Sequence, residues 1–149
     1  MNEHQQKPGF QIRRLHQSAV AIFVREMSAA ELDLTPVQYA VLSALAKAPG
    51  LDQAGLATQV ALDKATAGGV VDRLLGKNLI SRRVNPANRR ARILNITDEG
   101  LKALEQSEPV VEMIQDRILA GLSEPERAQF LSLMQKAVAA IKDESRTAG

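Results

Sequence analysis

Residues 63–96 read DKATAGGVVDRLLGKNLISRRVNPANRRARILNI, a helical pattern followed by an arginine-rich hairpin pattern. Asp63 is a suitable N-cap, and apolar residues recur after it at helical spacing until about residue 77. Two short β-type runs follow at 80–84 and 90–96, and the segment between them contains Asn-Pro-Ala-Asn at 85–88, which is typical of turns. The stretch therefore predicts a helix that leads into a β-hairpin.

The predicted hairpin carries a concentrated positive charge. It contains no acidic residue between Ser81 and Thr97, although the net charge of the whole 149-residue chain is only +2. Its five arginines are Arg82, Arg83, Arg89, Arg90 and Arg92. Like charges this close together repel each other unless a polyanion compensates them. The charge therefore indicates a directed contact with nucleic acid, and the minor groove is a natural target for a cationic tip.

The residues before this stretch predict a helix-turn-helix. Thr35-Pro36-Val37-Gln38 combines an N-cap, a proline at the first helical position and a capping-box glutamine. Pro49-Gly50 ends that helix, and Asp52 can cap a short helix through Val60. The next helix would be the one that enters the major groove, with its first turns toward the bases. We therefore expect DNA contacts from Lys64, Ala65, Thr66, Ala67 and Gly68, with Arg73 and Lys77 extending the basic side.

Gly68 and Gly69 are unusual inside a helix, because each costs about 0.8–1 kcal/mol relative to alanine. Two explanations follow. The glycines allow the helix backbone to approach DNA closely, or they allow tight packing against the preceding helix.

The remaining residues predict long amphipathic helices at both ends. Apolar residues recur at helical spacing over 10–32 and again after residue 100, where Pro109 should kink or split the helix at Glu108. Ser123-Glu124-Pro125-Glu126 starts a last helix. Residues 1–9 are expected to be disordered. The terminal helices have more apolar surface than the centre can cover, so a twofold homodimer is expected.

Composition excludes several classes of protein. The chain has no cysteine, which excludes disulfides and thiolate metal sites. Two histidines, no metal-spaced cluster and no glycine-rich phosphate loop give little support to an enzyme or a cofactor. The N-terminus lacks a secretory signal, and no apolar run approaches the ~20 residues that span a bilayer. We expect a soluble cytoplasmic protein without a membrane segment.

Residues 34–100 resemble the winged helix-turn-helix core of the multiple antibiotic resistance regulator (MarR) family. The motifs that carry the resemblance are VDRL at 71–74, NPANRR at 85–90 and LNITDEG at 94–100. The resemblance implies a mainly α fold with a small β-wing, in which 1–33 and 101–149 form dimerisation helices. It also implies a homodimeric repressor on a palindromic operator of double-stranded DNA, released by a small ligand bound between the DNA-binding and dimerisation regions.

The chain departs from that family at the wing. The family's usual turn has aspartates where this chain has Asn85 and Asn88, and such an aspartate commonly pairs with an arginine like Arg73. The resemblance therefore leaves that ion pair in question here. An asparagine still accepts a hydrogen bond, although more weakly than a carboxylate.

Residues 12–17, IRRLHQ, resemble an arginine-pair segment in a branch of the family that responds to aromatic acids or their coenzyme A thioesters. Arg13 or Arg14 beside a partly buried His16 could clamp a carboxylate, and Tyr39 could border that pocket. Alternatively, both arginines are exposed or bridge the dimer, and His16 is an interface residue. Two other functions stay open at this point: an architectural DNA-binding protein without an effector, and a helical protein whose basic hairpin binds an acidic partner.

Overall fold

A computed structural model of the chain describes residues 1–148, which form six α-helices and a three-stranded antiparallel sheet. The helices are α1 (Pro8–Ala29), α2 (Pro36–Lys47), α3 (Gln53–Gln59), α4 (Lys64–Gly76), α5 (Asp98–Ile118) and α6 (Glu124–Thr147). The strands are β1 (Leu51–Asp52), β2 (Ile80–Asn85) and β3 (Asn88–Ile96). The chain divides after Ile114 into two compact units, which we describe separately. The mainly α fold with a β-wing is confirmed.

The predicted helix starts are confirmed by their capping bonds. Thr35 and Gln38 form a capping box at the start of α2, and Ser123 and Glu126 form another at the start of α6. Asp52 accepts the Gly55 backbone N–H at 2.7 Å and so caps α3. These side chains satisfy N–H groups that have no partner inside the helix, which fixes where each helix begins.

Three helices of the first unit end without glycine. Glu31, Ala61 and Asn78 follow α1, α3 and α4 with φ angles of 58°, 54° and 59°. In each case the next backbone N–H bonds to a carbonyl five residues earlier, as Leu62 does to Ala57 at 2.9 Å. This is the Schellman arrangement, which glycine favours at the left-handed position. The turn of the helix-turn-helix therefore rests on an alanine in a conformation that alanine rarely adopts.

The hairpin is part of a sheet in the order β1-β3-β2. Strands β2 and β3 pair antiparallel, with Arg82 opposite Leu94, and β1 pairs on the other edge with Leu51 opposite Leu94. The two long strands agree with the predicted hairpin. Strand β1 was not predicted, because two residues carry no periodic pattern.

Leucines from four elements meet in the core of the helix-turn-helix. Leu42, Leu45, Leu56, Leu74 and Leu94 are fully buried and come from α2, α3, α4 and β3. Burying such a side chain contributes roughly 1.5–3 kcal/mol. The packing holds α4 and the central strand of the wing against a common core, so the two elements present a fixed surface.

The N-terminus differs from the expectation of disorder at residues 1–9. Glu3–Gln6 forms a 3-10 turn, which Asn2 and Gln5 cap reciprocally, and α1 already begins at Pro8. The His4 ring packs edge-on against the Phe10 ring at a centroid distance of 5.1 Å. Local capping and this ring contact order the segment, which hydrophobic patterning alone does not reveal.

Pro109 does not split its helix, so the predicted break at Glu108 was wrong. Helix α5 runs without interruption from Asp98 to Ile118. Leu104 and Val111 are buried on either side of Pro109, whereas Pro109 itself is exposed. Burial on both sides of Pro109 therefore keeps the helix continuous, and the carbonyl that loses its N–H partner lies on the solvent side, where water can satisfy it.

The second unit consists of the end of α5, a turn and α6. The Arg127 guanidinium donates to the carbonyls of Leu119 and Leu122 and pairs with Asp116 at 3.4 Å. Helix α6 buries none of its described residues. Within residues 1–148 we find no helix both long enough and apolar enough to cross a bilayer.

Candidate nucleic-acid interface

The first turn of α4 is exposed and polar. Asp63 caps it by accepting the backbone N–H of Thr66 at 2.8 Å and the Thr66 hydroxyl at 2.7 Å. These two hydrogen bonds to the carboxylate lower the pKa of Asp63. Lys64, Ala65 and Thr66 are exposed beside the cap. The turn therefore offers one free cation and one hydroxyl whose oxygen can still accept a hydrogen bond.

Ala67 was predicted to contact DNA, and its burial contradicts this. It is 2% exposed and belongs to the buried side of α4, together with Val70, Val71 and Leu74. The spacing of three and four residues places it with these side chains. The helix has one apolar stripe, and Ala67 lies in it.

The two glycines of α4 differ in their surroundings, and neither lies in a tight contact that a Cβ atom would disturb. A Cβ atom at Gly69 would meet nothing within 4 Å, and one at Gly68 would make only an ordinary contact with Gln53 Nε2 at 3.7 Å. Gly69 is exposed and Gly68 half-buried. The explanation by packing against the preceding helix therefore fails for Gly69, and the space outside α4 stays open.

The five wing arginines divide into two groups. Arg82 Nη1 lies 3.4 Å from Asp72 Oδ1 on α4, and Arg92 Nη1 donates to the backbone carbonyls of Arg89 and Ala91 at 2.9 and 3.3 Å. The guanidinium groups of Arg83, Arg89 and Arg90 are exposed and form no ion pair within the described residues. With Lys64 these three form what we call the cationic surface (Lys64, Arg83, Arg89 and Arg90).

An open groove of about 640 Å³ separates the start of α4 from the wing. It is lined by Lys64 on one side and by Asn88 and Arg90 on the other, with Gln53 of α3 between them. The groove thus brings a lysine of the helix and an arginine of the hairpin to one concave face. Such a face suits the phosphate backbone of a nucleic acid.

The predicted effector residues lie on two helices, Arg13, Arg14 and His16 on α1 and Tyr39 on α2, and no groove that we describe brings them together. Arg13, Arg14 and His16 are exposed, and the Arg13 guanidinium stacks over the Phe10 ring at 5.4 Å. His16 was expected to be partly buried and is not. Tyr39 is half-buried and lines a different groove, beside Ser43 and Lys47. None of the three grooves that we describe contains both an arginine of α1 and Tyr39.

Burial raises the pKa of the Tyr39 phenol, and the nearby carboxylates of Glu108 and Glu112 raise it further. Both carboxylates disfavour an additional negative charge on the phenol oxygen. The phenol therefore stays protonated and can donate a hydrogen bond near neutral pH.

Known proteins share this sequence and fold. The sequence signature of the MarR family matches residues 34–91. The transcriptional regulator HosA of Escherichia coli O111:H- is 33% identical over 126 residues, which cover 85% of this chain and 90% of HosA. The chain belongs to the MarR family. Its relatives are transcriptional regulators, and this agrees with the lack of support for an enzyme in the sequence.

Two solved structures of regulators from this family are similar along nearly the whole chain. One is Bordetella bronchiseptica BpsR, whose DNA binding is regulated by 6-hydroxynicotinic acid, with a TM-score of 0.86 and 29% identity over 93% of this chain and 97% of BpsR. The other is the transcriptional repressor CouR bound to a 23-mer DNA duplex, with a TM-score of 0.84 and 27% identity over 93% of this chain and 96% of CouR.

Within residues 1–148 of this MarR-family chain, the wing is not braced by the ion pair of Arg73 that the resemblance left in question. Arg73 is exposed and forms no ion pair within residues 1–148. Asn85 Oδ1 accepts the Ala87 N–H at 3.0 Å, and Asn88 Oδ1 accepts the Arg90 N–H at 3.2 Å. Both asparagines thus form side-chain turns that shape the wing tip. The link between Asp72 and Arg82 was not predicted, although Asp72 lies inside the VDRL motif.

Proposed function

We propose that this chain is a dimeric transcriptional repressor that binds a palindromic operator and is released by a small aromatic carboxylate or its coenzyme A thioester. The observation that carries the proposal is the cationic surface, whose four exposed cations lie at the start of α4 and on the wing and form no ion pair within the described residues. The complex of CouR with DNA supports a duplex as its partner.

Each part of the surface suits one groove of DNA. The start of α4, with Lys64, Ala65 and Thr66 exposed, would enter the major groove and contact base edges. Arg89 and Arg90 at the wing tip would reach the adjacent minor groove, where narrow A·T tracts attract arginine. Arg82 and Arg92 would brace the wing, because the Asp72 carboxylate and the wing carbonyls already hold their guanidinium groups.

The dimer is supported by the apolar stripe of α6. Leu131, Met134, Val138 and Ile141 follow each other at helical spacing and are 38–64% exposed. Such a stripe is costly in water and suits a helix of a second copy. Two copies would place two α4 helices about one turn of DNA apart, ~10 base pairs or a multiple of it.

The charges around the proposed effector residues suggest how a ligand would be oriented. An aromatic carboxylate would place its anionic end on Arg13 or Arg14, with His16 beside them, since arginine binds carboxylates with two hydrogen bonds. The protonated Tyr39 phenol, next to Glu108 and Glu112, suits the uncharged end of the ligand. The arginines are exposed in one chain, so we propose that the second chain completes the pocket.

DNA binding is tested with a duplex from the region upstream of the protein's own gene and a random duplex of the same length. We expect much tighter binding to the first, and log K should fall against log salt by about 0.9 for each phosphate contacted. Arg89→Ala and Arg90→Ala should each weaken binding by about 1–3 kcal/mol without unfolding the protein. Arg146→Ala, at the exposed end of α6, is the matched control.

Two results would refute this proposal. Equal affinity for both duplexes would favour an architectural DNA-binding protein, and wild-type affinity in both wing variants would exclude the wing contact.

The effector is tested with a panel of aromatic carboxylates, including 6-hydroxynicotinate, and their thioesters. A compound that releases the wild type should fail to release Arg13→Ala or Arg14→Ala. If no compound acts, the arginine clamp loses its support.

A further inference from the structure

Lys77 joins the end of α4 to the loop between α1 and α2. The sequence placed this lysine on the basic DNA-facing side. In the structure its ammonium donates to the Asp33 carbonyl at 2.8 Å and to Gln38 Oε1 at 3.2 Å, and it lies 3.2 Å from Asp33 Oδ2. An ammonium group has three hydrogens, and three acceptors surround this one. The ammonium hydrogens of Lys77 are therefore all used within the protein, and Lys77 does not belong to the cationic surface.

The acceptor on α2 is itself fixed. Gln38 is 5% exposed, and its Oε1 also accepts the Thr35 N–H at 3.2 Å as part of the capping box. Gln38 keeps this second bond if Lys77 is removed, so no buried polar atom loses its last partner. The contact with Lys77 therefore adds a link between α4 and α2 that the capping of α2 does not require.

The residues after Lys77 are held from another direction. The Thr97 hydroxyl donates to the Asn78 carbonyl at 2.7 Å, and the Thr97 N–H donates to the Leu79 carbonyl at 3.1 Å. Gly100 of α5 packs against the same Leu79 carbonyl so closely that a Cβ atom there would collide with it. Residues 77–79, which connect α4 to β2, are thus bound to the start of α5 as well as to the loop before α2.

We infer that Lys77 is a positioning residue for DNA recognition, which sets α4 and the wing in one orientation against the α1–α2 loop. The inference rests on the proposed DNA-binding function. Without the lysine, α4 and β2 keep their core packing and the connection keeps its bonds to Thr97, but they lose the polar link to Asp33 and Gln38 that aligns them against the α1–α2 loop. Base contacts need exact alignment, whereas phosphate attraction tolerates a shift. Loss of Lys77 should therefore lower sequence-specific affinity first.

The test compares full-length wild type with Lys77→Met on two duplexes. One is the duplex that the wild type enriches from a random-sequence library, and the other is a random duplex of equal length. We expect Lys77→Met to bind the enriched duplex about tenfold more weakly, which corresponds to ~1.4 kcal/mol. Its affinity for the random duplex and its salt slope should equal those of the wild type. Lys77→Arg should restore specific binding, and Lys47→Met, an exposed lysine at the end of α2, should have no effect.

Three results distinguish a positioning role of Lys77 from a direct phosphate contact and from failure of the proposed function. Wild-type specific affinity in Lys77→Met would overturn the inference. Equal loss on both duplexes with a salt slope smaller by about 0.9 would identify Lys77 as a phosphate contact and also overturn it. Failure of the wild type to enrich any sequence would instead refute the proposed function. Lys77→Gln, which keeps a donor for the Asp33 carbonyl but no charge, is measured in parallel and decides between these results if the methionine variant does not fold.

Discussion

Arg82 on β2 pairs with Asp72 on α4, with 3.4 Å between Nη1 and Oδ1. The two side chains are 39% and 70% exposed, so the pair contributes at most about 1 kcal/mol to stability. The main effect of the pair is on the charge of the wing. The pair ties one wing arginine to α4, and the Asp72 carboxylate neutralises its charge, which should oppose indiscriminate binding to polyanions.

Replacing that carboxylate should make DNA binding less selective. Asp72→Asn removes a negative charge and releases Arg82, so we expect affinity for a random duplex to rise several-fold and the salt slope to steepen by about 0.9. The melting temperature should change little because the pair is exposed. Asp143→Asn, on the exposed surface of α6, is the control. An unchanged salt slope would show that Arg82 does not become available to phosphate.

At the wing tip, the lack of a negative charge on the asparagines should matter for DNA affinity, whereas the turn itself should form equally well with aspartate. Asn88→Asp keeps an oxygen that accepts the Arg90 N–H, so the wing turn and the melting temperature should be preserved. The new carboxylate lies beside Arg89 and Arg90 and repels phosphate, so operator affinity should fall by about 1 kcal/mol or more. Gel shift and thermal unfolding measure the two effects. A lowered melting temperature with unchanged affinity would contradict this assignment.

Much of this fold follows from short-range rules that the sequence displays. The capping boxes at Thr35 and Ser123 and the caps at Asp52 and Asp63 fixed the helix starts, because each depends on residues only three positions apart. The hairpin followed from its turn residues and β-type runs. The cationic character of the wing required only a count of arginines. These features need no knowledge of distant contacts.

The features that the sequence did not reveal depend on tertiary contacts. The continuity of α5 through Pro109 depends on burial of Leu104 and Val111 on both sides. The division of the wing arginines depends on where Asp72 lies relative to β2, and the position of Lys77 depends on a loop 44 residues earlier in the chain. Ala67 was misassigned because small residues fit both a buried stripe and an exposed face.

Gly69 should lower the stability of the protein but favour DNA binding. A Cβ atom there meets nothing within 4 Å, so Gly69→Ala should raise the free energy of unfolding by about 0.8–1 kcal/mol through helix propensity alone. The added methyl lies on an exposed part of α4 and should weaken operator binding. Gly76→Ala is the matched control, since it also meets nothing within 4 Å but lies at the far end of α4. Equal operator affinity in both variants would mean that Gly69 does not approach DNA.

Ala61 should be a site where glycine stabilises the protein. Its φ of 54° is the left-handed conformation, which costs an L-residue roughly 1–2 kcal/mol. Ala61→Gly should therefore raise the free energy of unfolding by about 0.5–1 kcal/mol, after the larger chain entropy of glycine is subtracted. Ala54→Gly, at an exposed right-handed position in α3, should lower it by about 0.8–1 kcal/mol. Denaturant unfolding of both variants tests the sign, and a loss of stability in Ala61→Gly would contradict the assignment.

The cap of α4 should make stability depend on acid pH. The bonds from the Thr66 N–H and hydroxyl lower the pKa of the Asp63 carboxyl in the folded chain. A depressed pKa means that the stabilisation is complete above the ordinary aspartate value and is lost as the pH falls through the folded value, so the window lies below about pH 4. Asp63→Asn keeps one cap acceptor but does not titrate. The melting temperature of the wild type should therefore exceed that of Asp63→Asn at pH 6, and the difference should shrink below about pH 4. Because both proteins share every other acid, a difference that stays constant across this range would show that Asp63 caps α4 without a contribution from its charge.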